Sequence, residues 1–86
     1  MNTITLKLTK GQFKTLIRVW EDSDFIYTDY NIFKIVKNNE IIEVSDYKKF
    51  REFLNDEIKE LNRGASLDVK KYDTLNSILS KLEVNK

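Results

Sequence analysis

The chain contains no cysteine, no histidine and no proline. Without cysteine there is no disulfide, no thiolate metal site and no cysteine nucleophile. Without histidine the commonest general base and the commonest transition-metal ligand are missing. Only Gly11 and Gly64 are available for unusual backbone geometry. No apolar run approaches a membrane span, and "MNTITLKLTK" lacks the apolar core of a secretory signal. The expectation is a soluble, cytoplasmic protein with no membrane contact. Neither sign of charge dominates: 15 basic residues face 14 acidic ones, for a net +1. That is far from the basic balance of a dedicated nucleic-acid binder, and equally far from the acidity of a whole-molecule DNA mimic.

The chemistry left over is thin. A nucleophile and base would have to be Ser or Thr with Lys, or a carboxylate pair such as Asp22 and Asp24, and nothing in the spacing brackets a substrate pocket. An enzyme is not expected, and no cofactor is. The run "EDSD" at 21–24 offers oxygen ligands for a divalent cation, but it lacks the spacing and the turn glycine of an EF-hand. It reads as a solvated acidic loop, so no metal is assigned. "TKGQFK" has one glycine and nothing else of a phosphate-cradling loop; Gly11 is read as serving local chain geometry.

What is present is a clear pattern of elements. With 86 residues, a single domain is the only sensible count, and such a chain buries roughly 60–65% of its unfolded surface. Residues 3–9, "TITLKLT", alternate with period two and predict a half-buried strand. Thr9 and Gln12 form a capping-box pattern. Phe13, Leu16, Ile17 and Trp20 then mark one face of a helix from Lys10 to Glu21 or Asp22. Lys10, Lys14 and Arg18 share another face. "FIYT", residues 25–28, is a short possible strand. "NIFKIVK-NN-EIIEVS" predicts a β-hairpin about Asn38-Asn39, because Asn tolerates the positive φ of a tight turn. Pairing outward from the turn sets Lys37 opposite Glu40, Val36 opposite Ile41, Ile35 opposite Ile42, Lys34 opposite Glu43 and Phe33 opposite Val44. Phe33, Ile35, Ile42 and Val44 then share an apolar face.

Ser45 is the expected N-cap of a second helix, with Asp46 in its first turn. Tyr47, Phe50, Leu54, Ile58 and Leu61 form its stripe, Phe53 flanks it, and Gly64 ends it. Lys48–Glu52, Asp56–Lys59 and Glu60–Arg63 are the expected pairs on its outer face. Either Ser66 or Asp68 caps a last helix with Tyr72, Leu75, Ile78, Leu79 and Leu82 inside, fraying near Val84. The order is β-α-(β)-β-β-α-α: an α+β fold, with a small, mostly antiparallel sheet and three helices packed on one face.

"WEDSDFIYTDY", residues 20–30, stands out. It holds four aromatics and four acids with no cation, so it carries −4 and leaves the rest of the chain at +5 against a total of +1. Trp20 lies on the apolar helix face and is assigned to packing. If Phe25 and Tyr27 lie on a strand they face together, Ile26 faces away, and one large apolar side chain is left exposed. Exposed tyrosine beside carboxylates suits a basic protein surface: the rings give rigid contact area and the acids steer approach. The candidate protein-binding residues are Glu21, Asp22, Asp24, Tyr27, Asp29 and Tyr30. The rival surface is the stripe Lys10, Lys14 and Arg18; three cations on three phosphates give a salt slope of about −2.7 on duplex DNA. No helix-turn-helix pattern and no aromatic-basic sheet accompanies it.

In size, absence of cysteine, Lys/Asn/Ile-rich composition and its acidic-aromatic stretch, the chain resembles the small phage-encoded inhibitors of bacterial defence, including anti-CRISPR proteins. The resemblance is one of general character over the whole chain. It matches no family motif and transfers no functional residue. It implies a non-enzymatic inhibitor in the bacterial host cytoplasm, binding a defence nuclease such as a CRISPR effector and blocking its nucleic-acid access or activation. The net charge of +1 departs from the acidity of many such inhibitors and leaves a local patch as the contact. The alternatives are a small nucleic-acid-binding regulator using the basic stripe, and an assembly or structural phage protein using an exposed strand edge. Monomer and homodimer both stay open.

Overall fold

A computed structural model describes residues 3–23, 32–37, 40–63 and 68–85. Its elements follow the expected order: β1 (Ile4–Lys7), α1 (Lys10–Glu21), β2 (Phe33–Lys37), β3 (Ile41–Val44), α2 (Tyr47–Arg63) and α3 (Val69–Asn85). The bracketed strand at 25–28 and the Gly64 helix stop lie outside the described residues. The sheet is antiparallel with β3 in the middle, in the order β1-β3-β2. The fold is α+β.

The strand alternation works as the period-two pattern requires. Ile4 and Leu6 of β1 turn inward with Ile42 and Val44 of β3 and Phe33 of β2, while Thr5, Lys7 and Lys34 face out. Leu16, Phe50, Phe53, Leu54, Leu75, Ile78 and Leu82 close over that face from the three helices. Four rings form the centre of this core. Trp20 meets Phe33 and Phe53 edge-on at 4.9 and 5.1 Å between centroids, and Phe33 meets Phe50 at 5.3 Å. Such edge-to-face pairs add about 0.5–1.5 kcal/mol each beyond the area they bury. They tie α1, β2 and α2 together, so Trp20 is a packing residue.

The hairpin register departs from expectation next to its turn. Phe33, Lys34 and Ile35 pair with Val44, Glu43 and Ile42 as predicted, but Ile41 then faces Lys37 rather than Val36. A bulge between Ile35 and Lys37 leaves Val36 without an opposite residue. Both expected charge pairs survive, Lys34–Glu43 at 3.4 Å and Lys37–Glu40 at 3.0 Å, and the Glu40 N–H donates to the Lys37 carbonyl across the turn. Ile35, expected inside, is 44% exposed, and Val36 is 55% exposed. β2 is an edge strand, flanked by β3 on one side only.

Three further corrections concern the helices. The cap of α2 is Asp46, not Ser45: the Lys49 N–H donates to Asp46 Oδ1 at 3.1 Å, while the Ser45 N–H continues the hairpin by donating to the Ile32 carbonyl. Of the three pairs expected on the outer face of α2, only Glu60–Arg63 closes, at 3.3 Å. The last helix continues past Val84, which is 82% exposed, instead of fraying there.

Long side chains fasten α3 to the rest. Lys81 Nζ donates to the Lys7 carbonyl at 2.8 Å and to Gln12 Oε1 at 2.6 Å. Glu83 accepts from the Tyr47 hydroxyl at 2.9 Å and from Arg51 Nε at 2.8 Å. No helix among the described residues is long and apolar enough to cross a membrane.

Candidate binding surfaces

The rotation of α1 decides what the molecule shows on this side. Its start is fixed by the capping box: Thr9 Oγ1 accepts from the Gln12 N–H at 3.1 Å, and Gln12 Oε1 accepts from the Thr9 N–H at 3.0 Å. From that start Phe13, Leu16, Val19 and Trp20 turn inward, and Ile17 sits half-buried at the edge. Val19 therefore takes the inside place that the sequence pattern assigns to Ile17. Lys10, Lys14 and Arg18 are exposed along the opposite face, rising about 6 Å per step at 1.5 Å per residue.

Helix α3 adds to this face what the sequence pattern does not reveal. Asp68 caps it, accepting from the Lys71 N–H at 3.0 Å, so the alternative cap Ser66 is not needed. The capped first turn brings Lys70 and Lys71 alongside α1. Lys14, Arg18, Lys70 and Lys71, with Gly11, Thr15 and Asp68, line one groove of about 350 Å³. An adjoining depression of about 740 Å³ runs along α1 past Lys10, Ile17 and Glu21. Gly11 is on the floor of both. Its backbone is not in the left-handed region, and an added Cβ would meet only Thr9 Oγ1, at 4.0 Å. Neither local geometry nor packing requires a glycine here, contrary to the expectation from sequence.

The opposite sign gathers at the other end of α1. Asp22, together with Asp56, Glu57 and Glu60 of α2, surrounds a depression of about 760 Å³ that Lys59 and Arg63 also border. Glu57 is half-buried. Burial pushes its carboxyl above the ordinary value of 4.5, and the charges of Glu60, Asp56 and Asp22 add to the rise against the opposing pull of Lys71. No group of three or more acidic residues among those described is arranged to hold a metal ion.

Of the residues singled out in the sequence, Glu21 and Asp22 are exposed at the end of α1. Asp24, Tyr27, Asp29 and Tyr30 lie outside the described residues. Lys10, Lys14 and Arg18 are exposed and collected on one side. Sequence reasoning missed Lys70 and Lys71 on the basic side, and Asp56, Glu57 and Glu60 on the acidic side. The doublet "KK" just inside a capped helix start is a visible signal, but its neighbour in space is not. No protein-family model matches the chain, and neither a curated protein nor a solved structure matches it.

Proposed function

We propose that the protein is a non-enzymatic binding module that engages a basic protein surface through an acidic face. That face is built on Asp22 with Asp56, Glu57 and Glu60 from α2; Glu21 precedes Asp22 in the chain, and the acidic-aromatic residues Asp24, Tyr27, Asp29 and Tyr30, which lie outside the described residues, follow it. The observation that carries this reading is the gathering of Asp22, Asp56, Glu57 and Glu60 around one depression. Burial holds the Glu57 carboxyl above the ordinary value, Lys71 opposes the rise, and the charges of Glu60, Asp56 and Asp22 add to it. A cationic partner would relieve the field of these carboxylates, which would also speed its approach. The resemblance to small phage inhibitors of bacterial defence narrows the partner to a nuclease with a Lys- and Arg-rich nucleic-acid channel, a CRISPR effector being the specific case. Occupying that channel blocks nucleic-acid access or activation without any catalysis by this chain.

The test is a binding and cleavage assay against purified CRISPR effector nucleases, with the wild type beside Asp22→Lys/Asp24→Lys and Asp56→Lys/Glu60→Lys. Wild type binds and inhibits cleavage. Each double reversal weakens binding tenfold or more, about 1.4 kcal/mol, and leaves the melting temperature within a few degrees. Reversed variants that bind as tightly as wild type would remove the acidic face from the account.

A further inference from the structure

The basic groove between α1 and α3 points to a second binding surface, independent of the acidic one. We infer that it seats the phosphodiester backbone of a single nucleic-acid strand.

Four observations lead there. The first is the set of cations. Elsewhere Lys7, Lys34, Lys37, Arg51 and Arg63 stand within 4 Å of a carboxylate. Lys10, Lys14, Arg18, Lys70 and Lys71 make no such pair among the described residues, as Lys48 and Lys59 on α2 do not, but these five stand side by side; of them, Lys71 also feels the charge of Glu57. Lys14, Arg18, Lys70 and Lys71, on two helices far apart in sequence, therefore face one trough, with Lys10 on the adjoining depression.

The second is their arrangement. Lys10, Lys14 and Arg18 repeat at about 6 Å along α1, comparable to the separation of successive phosphates on one strand. Lys70 and Lys71 form the facing wall.

The third is the floor. Gly11 sits in the first turn of a helix, where it weakens the helix by roughly 0.5–1 kcal/mol relative to alanine, and the packing gives no reason for it. Its bareness, with the small hydroxyl-bearing Thr15 beside it, lets a backbone approach the helix closely. The N-terminus of α3 is not itself the anion site, because Asp68 already takes the Lys71 N–H; the side-chain cations are.

The fourth decides between one strand and two. In the adjoining depression, beside Lys14 and Arg18, Ile17 is half-buried. This apolar margin gives unstacked bases of a single strand something to rest on.

The test needs only the purified protein and oligonucleotides, so it stands or falls apart from any protein partner. Fluorescence anisotropy of a labelled single-stranded oligonucleotide is titrated across salt, beside its duplex and a polyglutamate competitor of equal charge. Four phosphate contacts give a slope of log K against log salt of about −2.8 on the single strand. Lys70→Gln/Lys71→Gln should reduce its steepness by about 1.4. Lys48→Gln/Lys59→Gln, on α2, should leave it unchanged. Gly11→Met removes no charge, yet it should weaken binding severalfold by filling the floor, while folding is retained by circular dichroism. Four results would each overturn the inference: no binding at low salt, a slope indifferent to Lys70 and Lys71, competition by polyglutamate as strong as by the oligonucleotide, or tighter binding of the duplex than of the strand.

Discussion

Glu57 and Glu40 are two carboxylates displaced in opposite directions, and the difference has a thermodynamic sign. Burial and neighbouring acids raise Glu57 above 4.5, so between 4.5 and its raised value the folded state holds more protons than the unfolded one. Its contribution to stability therefore falls as pH rises through that window. Glu57→Gln should melt higher than wild type at neutral pH, with the difference closing below 4.5. Glu40 is the reverse case: the Lys37 ammonium bonded to it, with Lys7 beside it, holds its carboxyl below the ordinary value. Its contribution is present above 4.5 and is lost as pH falls through the lowered value. Glu40→Gln should melt lower than wild type at neutral pH and match it in strong acid. Thermal melts of both variants across the acid-to-neutral range check the pair. The direction for Glu40 follows from the Lys37–Glu40 pair expected from the sequence, whereas that for Glu57 was not legible, because its largest cause is burial, which only the packed structure supplies.

At the scale of elements, the sheet divides into a covered part and an uncovered part, and mutation should reveal the boundary. Phe50 and Phe53 are wholly buried in the ring cluster, so replacing either with alanine should cost about 3–5 kcal/mol. Val36, on the bulge of the outer strand, should change stability by no more than about 0.5 kcal/mol as Val36→Thr. Urea unfolding measures both, and a Val36→Thr loss as large as that of Phe53→Ala would mean the strand edge is covered. What could be read from sequence here follows the range of the forces. The capping box at Thr9 and Gln12 is local and was legible, as were the strand alternation and the hairpin pairing up to Ile35. The bulge at Val36 was not, because the turn residues alone favour a plain two-residue connection. The choice of Asp46 over Ser45 as cap was not legible because both are good capping residues, and the hairpin backbone, whose Ile32 carbonyl takes both N–H groups, fixes where the helix starts.

For the whole molecule, the near-zero net charge conceals a separation of signs. The basic trough lies between α1 and α3, and the acidic depression lies between the end of α1 and α2. The local excess of acid at 20–30 was legible in the sequence, and so was the stripe on α1. The partners of each were not, since only the packing of three helices on one sheet face brings α2 and α3 beside α1. Asp22 borders depressions on both sides, which gives it opposite effects on the two proposed interactions. Asp22→Lys should weaken binding to a basic protein and tighten binding to an oligonucleotide, steepening the salt slope by up to about 0.7 on a single strand. Parallel titrations of the one variant check this, and a change of the same sign in both would mean that the two surfaces do not act separately. The attachment of α3 has a consequence during synthesis. Leu75, Ile78 and Leu82 fill the space beside β1 and α1, and Lys81 reaches back to Lys7 and Gln12. The first strand is thus completed by a helix more than sixty residues further along the chain. A nascent chain still lacking Val69–Asn85 presents an open apolar cleft to chaperones and proteases until that helix is in place.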